Sequence, residues 1–350
     1  MVELFTTGGI LLDTIVAADG TVHADGLGGN AVYSAAGARL WAGRVGCVGV
    51  VPRNFPGRWI SLLDAAGINV GGVHRVDTDV DGTEWFFHRA DGSRVDQLHA
   101  GTELLSGGRL PPDEARSLEQ RLRSKNAGVR GFGAFRNAHP VEPAHVPAEF
   151  WRGGGVHLAP NRTDAQHRLM YSARDNGLAV SLDPGRHAAT MTGQDVAAFL
   201  LGCDVFLPSE KELRILVPGE DLTEAVRLLS GRGAALVAGK LGPAGSVVMD
   251  RRTGIAVLVP ALPIRAPDPT GAGDAYCGGF LAAWLRTRDP VLAACCGTIS
   301  ASFAVEAFGP GTLLAASAAE ASARLRWVVA QVPDAASKPG LDTLMMERMA

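Results

Sequence analysis

The stretch that decides the fold is DPTGAGDAYCGGFLAAWL, residues 268–285. Gly271-Ala272-Gly273 is small and flexible, and it runs directly into Cys277, Phe280, Leu281 and Trp284 at helical spacing. This predicts an amphipathic helix that starts at the glycines. The first N–H groups of a helix have no partner within it, and the helix dipole adds positive potential there. Such a start is an anion pocket suited to a phosphate. Asp274 stands at this N-terminus. An Asp there can simply cap the helix. A carboxylate beside an anion hole can also take a proton from an acceptor hydroxyl in phosphoryl transfer. Asp274 alone leaves both readings open.

Outward from this string, short apolar runs alternate with helical patterns. Residues 2–9, 44–51, 155–160, 178–184, 203–208 and 234–239 read as strands. Residues 30–43, 57–67, 162–176, 194–201, 209–217 and 221–231 read as helices, the second closing at Gly67. The alternation predicts an α/β fold, a three-layer α/β/α sandwich around a mostly parallel sheet. Residues 246–259 read as a hairpin within the core. Residues 14–27 and 73–100 break the pattern with alternating β-type residues and turn pairs such as Asp81-Gly82 and Asp91-Gly92. They are expected to meet as a small β-sheet lid, the plainer alternative being two unrelated surface hairpins. Trp85, Phe86 and Phe87 would form the lid's own core or a homodimer contact in preference to stacking on substrate. The expected division is a core of 1–13, 28–72 and 101–332, a lid of 14–27 and 73–100, and a loose tail of 333–350.

The 350 residues suffice for one large α/β domain with a small appendage. A formal net charge of −3 gives no reason to expect a nucleic-acid partner or an anionic membrane surface. No apolar run is long enough to span a bilayer, and MVELFTTGGILLD lacks the basic start of a signal peptide. Five cysteines, an odd number without a C-x-x-C pair, fit a reducing cytoplasm. His139 and His145 lie in a Pro-rich loop where no metal site is expected. The phosphate-loop pattern G-x-x-x-x-G-K-[ST] and the protein-kinase motifs are absent from the sequence.

The string D-P-T-G-A-G-D resembles the C-terminal signature of the ribokinase-like carbohydrate kinases, the PfkB family, and the rest of the chain follows that family's order. Asp13 after the first strand resembles the acidic residue that binds substrate hydroxyls. Gly28-Gly29-Asn30 resembles the di-glycine substrate motif, LPSEKEL (207–213) the Asn-x-x-Glu motif, and KLGPAG (240–245) the nucleotide loop. The resemblance implies Asp274 as catalytic base and Gly271, Ala272 and Gly273 as anion hole. It implies Asp13, Gly28, Gly29, Asn30 and Tyr33 for the substrate, and Ser209, Glu212, Lys240, Gly242 and Gly245 for ATP and Mg2+. Glu212 would hold Mg2+ through water, and Asp268 and Thr270 would lie near a monovalent cation, K+.

The sequence departs from the family at two of these positions. Ser209 replaces the Asn of Asn-x-x-Glu, and Tyr33 stands where a substrate-binding Asn is common. An aromatic at 33 could stack on a sugar or a base, or pack in the core. Plainer readings accompany the others: a turn residue for Asp13, a tight turn for Gly28 and Gly29, a solvated helix residue for Glu212, a surface charge for Lys240. The implied activity is phosphorylation of a hydroxyl on a sugar or sugar-like small molecule. The alternatives are a nucleoside kinase of the same fold and a non-catalytic ligand sensor or scaffold.

Overall fold

The computed structural model describes residues 2–17, 19–80, 83–88, 94–95 and 131–346, with positions 113, 116, 117 and 120 between. The strands are β1 Leu4–Thr7, β2 Leu11–Val16, β3 Val22–Gly28, β4 Val45–Pro52, β5 Ile68–Val76, β6 Glu84–His88, β7 Arg94–Val95, β8 Gly155–Leu158, β9 Ala179–Leu182, β10 Val205–Phe206, β11 Leu236–Lys240, β12 Ser246–Asp250 and β13 Ile255–Val259. The helices are α1 Asn30–Arg39, α2 Gly57–Ala65, α3 Phe132–Ala138, α4 Thr163–Asp175, α5 Gly193–Gly202, α6 Glu210–Leu216, α7 Leu222–Gly231, α8 Ala272–Thr287, α9 Pro290–Ala304, α10 Gly311–Ala315, α11 Ala318–Gln331 and α12 Gly340–Met346.

A large sheet runs β13-β12-β11-β10-β9-β8-β1-β4-β5. Every pair from β11 through β5 is parallel, and β12 is antiparallel to both its neighbours. The inner strands β1, β4 and β8 are buried along their whole length, as strands covered by helices on both faces must be. The chain leaves β1 toward β4 and β5, and later returns to β8 and continues the other way. The boundary between β1 and β8 is therefore a topological switch point, where the carboxyl ends of neighbouring strands leave a crevice for ligands.

The two helices that border this crevice pack through missing side chains. A Cβ on Gly278 would fall 1.8 Å from the Ser34 carbonyl oxygen, and one on Gly37 would fall 2.2 Å from that of Ala275. Only glycine lets α1 and α8 approach so closely, and this approach sets their N-termini side by side. α9 packs on α8 and is buried from Val291 through Ser300, so it has no solvent face over that span.

The second sheet has the order β3-β2-β6-β7, with β2 and β6 parallel and the other pairs antiparallel. The expected small sheet is thus present, built from the two segments predicted to meet. β5 continues in the large sheet to Val76, so residues 73–76 pair with β4. The turn pairs Asp81-Gly82 and Asp91-Gly92 lie outside the described residues. Strand alternation divides the aromatic cluster: Trp85 and Phe87 are buried together with ring centroids 6.2 Å apart, while Phe86 points the other way. The hairpin expected within the core is present as β12–β13, at one edge of the large sheet. The tail expected to be loose is helical over Gly340–Met346. Leu344 is buried, and Arg286 Nη2 donates to the Thr343 carbonyl at 3.3 Å. Its few apolar residues give too weak a period to be read without the partner helix.

Candidate active site

α1 and α8 both begin behind a glycine with positive φ. Gly29 has φ 108°, and a Cβ there would fall 2.2 Å from the Gly9 carbonyl oxygen. Gly271 has φ 77°, and a Cβ there would fall 2.3 Å from the Tyr33 ring. These are backbone conformations that other residues rarely adopt. Because Gly271 is the N-cap, Asp274 is the third helical residue and not the capping residue. The two helix starts open on a cleft of about 990 Å³.

Asp13, Gly29, Asn30, Tyr33, Ser209, Glu212, Lys240, Gly242, Gly245 and Thr270–Asp274 all line this cleft. Gly28 and Asp268 do not, and both act one step behind it. A Cβ on Gly28 would fall 1.9 Å from Asp13 Oδ2, so Gly28 is the space into which the buried Asp13 carboxylate fits. Asn30 joins the two sides of the switch point: its Oδ1 accepts from Gly9 N at 2.6 Å, and its Nδ2 donates to the Pro160 carbonyl at 3.1 Å. Its amide is thereby committed to the scaffold at both atoms. Tyr33 is buried with its ring against Gly271. Its hydroxyl is buried without a hydrogen-bond partner among the described residues. Burial, with Asp13, Asp268 and Asp274 nearby, holds its pKa well above the usual phenol value.

Lys240 is not a surface charge. It is buried, its ammonium is paired with Asp183, and Cys277 Sγ lies 3.4 Å from Nζ. Burial alone would lower its pKa, but Asp183, Cys277 and Glu212 together raise it well above the ordinary lysine value. Ser209 and Glu212 form a capping box on α6: Ser209 N donates to Glu212 Oε2 at 2.6 Å, and Glu212 N donates to Ser209 Oγ at 3.5 Å. Burial and the Asp183 charge raise the Glu212 pKa above the usual carboxylate value.

The groups the family implies can be tested against these residues. Gly242 has φ 57° with open space where a Cβ would stand, and Gly245 has φ 93° with a Cβ position 2.0 Å from the Val259 carbonyl oxygen. This backbone ledge fits the close approach of a nucleotide. Among the described residues no three acidic, His or Cys side chains cluster as a metal cage. That suits an ion held mainly by phosphate oxygens and water, as Mg2+ commonly is. Asp268 Oδ2 and Thr270 Oγ1 are buried without hydrogen-bond partners among the described residues, two oxygens that fit a monovalent cation. Asp268 Oδ1 accepts from Thr270 N at 2.9 Å, and His88 Nε2 from β6 lies 3.1 Å away, within ion-pair reach though not aligned as a hydrogen bond.

Several cleft residues escaped the sequence reading. Glu84 and Phe86 line it from β6, and Arg136, Asp183 and Arg186 from the loops and short helix around the switch point. Asp183 and Arg186 follow directly after β9, at a strand's carboxyl end, and that placement is the signal that could have marked them. Arg136 sits on α3, whose buried residues Phe132 and Phe135 are too few to declare a helical period.

The family model described as "pfkB family carbohydrate kinase" matches residues 128–316, more than half of the chain. The chain belongs to the pfkB family. Membership places it among ATP-dependent kinases of sugar- and nucleoside-like substrates. A cytidine kinase of Thermococcus kodakarensis is 26% identical over 292 residues, covering 82% of this chain and 90% of that one. An ATP-dependent ribose-1-phosphate kinase of Halopiger xanaduensis is 28% identical over 302 residues, covering 83% and 87%. A putative ribokinase II from E. coli, solved in complex with ATP and Mg2+, superposes with a TM-score of 0.69 at 17% identity over 93% of this chain and all of that one. This last likeness establishes the ribokinase-like fold. No helix among the described residues is long and apolar enough to cross a membrane, and all five cysteines are buried.

Proposed function

We propose that this pfkB-family member transfers the γ-phosphate of ATP to a hydroxyl of a sugar or sugar-like compound, with Asp274 as the general base. The observation that carries the reading is the placement of Asp274 in the first turn of α8, on the open cleft and behind a left-handed glycine cap. The Asp274 carboxylate takes the hydroxyl proton as the O–P bond forms, and the bond to the leaving ADP oxygen breaks. The N–H groups of Gly271–Gly273 steady the transferring phosphoryl oxygens. Asp13 accepts from substrate hydroxyls, and the Gly242–Gly245 ledge lies along the nucleotide. Bound Mg2+ neutralises charge on the phosphates, and Glu212 is the residue to hold it through water. Asp268 and Thr270 are the residues to hold a monovalent cation. The β3-β2-β6-β7 sheet, which brings Asp13, Glu84 and Phe86 to the cleft, acts as the lid.

A nucleoside acceptor is the second reading. It is favoured by Phe86 on the cleft wall and by the likeness to a cytidine kinase. The test is a coupled ATP-consumption screen across sugars, sugar acids, polyols and nucleosides, repeated with Asp274→Asn. Turnover confined to the sugar-like acceptors and lost in the variant supports the first reading. Turnover with nucleosides alone supports the second. ATP consumption that is the same in the Asp274→Asn protein removes the mechanism.

A further inference from the structure

Lys240 ends β11 and Asp183 directly follows β9, on either side of β10. Their side chains meet past the end of β10 as a buried ion pair, and both residues line the cleft. Cys277 on α8 closes the group: its thiol donates toward Asp183 Oδ2 at 3.6 Å and accepts from Lys240 Nζ at 3.4 Å. The ammonium also lies against the start of α8, since a Cβ on Gly273 would fall 3.7 Å from Nζ. Gly273 precedes Asp274 in the first turn of that helix. A fixed positive charge thus stands beside the glycines proposed to hold the phosphoryl group.

A buried ion pair is a poor stabiliser, because desolvating two charges costs much of what their attraction returns. A pair kept on the wall of a cleft points instead to use of the charge. An ammonium has three N–H donors. Asp183 and Cys277 take two of them, and no described residue accepts the third. Burial opposes the charge, but Asp183, Cys277 and Glu212 raise the pKa well above the ordinary lysine value. The proton stays on Nζ, so Lys240 is neither base nor nucleophile. We propose that Lys240 is a further catalytic residue, whose third N–H meets an oxygen of the phosphoryl group in transit. Asp183 and Cys277 are positioning residues that hold the ammonium in place before ATP binds, so no reorganisation is needed as charge develops. Asp274 takes the hydroxyl proton, the new O–P bond forms, the bond to the ADP oxygen breaks, and Lys240 keeps its proton throughout. This proposal rests on the kinase reading given above and deepens it.

The test pairs turnover with binding, always with Mg2+ present. ATP consumption is measured with ribose and with cytidine. Calorimetry follows a non-hydrolysable ATP analogue, and ADP with and without aluminium fluoride, a stand-in for the phosphoryl group in transit. Asp183→Asn keeps the ammonium and loosens its holder. The double variant Lys240→Gln with Asp183→Asn leaves no unpaired charge buried, and a thermal melt shows that it is folded. In the double variant kcat should fall by roughly 10²- to 10³-fold, the usual effect of removing one preorganised donor. Affinity for the ATP analogue should change by less than about threefold, because an interaction made chiefly in the transition state leaves ground-state binding alone. Aluminium fluoride should tighten ADP binding to wild type, and most of that gain should be lost in the double variant. Asp183→Asn should lie between the two. Equal losses of analogue affinity and kcat would make Lys240 a nucleotide-holding residue only and overturn the proposal. Wild-type turnover in the folded double variant would overturn it too, leaving a structural pair and an intact kinase reading. Should wild type use neither acceptor, the aluminium fluoride comparison decides alone: equal tightening in both proteins, or none in either, overturns the proposal. The kinase reading stands or falls separately, on the acceptor screen and Asp274→Asn.

Discussion

Asp274 and Gly28 show how much depends on single atoms in this site. Asp274→Asn keeps the side chain's shape and removes its capacity to accept a proton. Turnover should fall by roughly 10²- to 10⁴-fold, the usual contribution of a positioned base, while ATP binding and the thermal midpoint hold. Steady-state kinetics beside a melt checks this, and near-normal turnover in a folded variant would end the base assignment. Gly28 has no positive φ, and the three atoms nearest a Cβ there all belong to the Asp13 carboxyl, so its need is spatial. In Gly28→Ala the new methyl must displace the Asp13 carboxylate. A displacement near 1 Å can cost on the order of 10²-fold, so the acceptor KM should rise while ATP-analogue affinity stays put. A variant whose ATP affinity falls instead would place Asp13 with the nucleotide. Most of the lining residues were legible because each sits in a short motif whose chemistry constrains its neighbours. Arg136, Asp183 and Arg186 were not, since a lone polar residue after a strand carries no period and no partner in sequence.

Among the elements, α6 and the small sheet separate structural from chemical roles. The segment SEKE at 209–212 is a capping box as it stands in the sequence, and a helix start explains Ser209 and Glu212 without any metal. Substitutions can divide the two roles. Ser209→Ala should cost about 1 kcal/mol of stability, whereas Ser209→Asn should cost little because Asn caps equally well. Urea midpoints for the pair test the cap. Glu212→Gln should raise the Mg2+ concentration needed for half-maximal activity, and a titration matching wild type would leave Glu212 as a cap partner only. The small sheet was legible as two β segments, but not its facing. The residue that decides the facing is His88, which follows Glu84 and Phe86 by strand alternation and reaches the buried Asp268. If this sheet closes on the acceptor, amide exchange over 22–28 and 84–88 should slow with acceptor bound, while β8 and β9 hold constant. Equal exchange in both states would leave the sheet a fixed wall.

At the scale of the whole molecule, the doubly wound sheet was legible because buried parallel strands and glycine-closed helices announce themselves locally. The order of the strands was not, because it is fixed by contacts such as Gly37 against Ala275 that lie far apart in sequence. The same burial that makes the centre of the sheet legible also sets an acid limit on the fold. His157 lies on β8, fully buried, with Nδ1 2.9 Å from Ser181 Oγ and Nε2 buried without a hydrogen-bond partner among the described residues. Burial lowers its pKa from 6.5 to about 3, with Asp183 raising it and Lys240 lowering it further. Between those two values the unfolded chain binds a proton that the folded chain refuses. Stability therefore rises with pH across this window, and it is lost as pH falls from 6.5 toward 3. Each unit is worth about 1.4 kcal/mol, so lowering the pH from 6.5 to 5 should cost about 2 kcal/mol from this group alone. His157→Gln cannot titrate, and its loss of stability over that interval should be smaller than that of wild type by about this amount. Urea unfolding of both proteins at pH 5 and 6.5 measures the difference. Should the variant fold poorly, the NMR titration of His157 in the wild-type protein serves instead. A midpoint near 6.5 there, or parallel pH slopes in the two proteins, would show that protons reach the centre of the sheet and that its acid limit lies elsewhere.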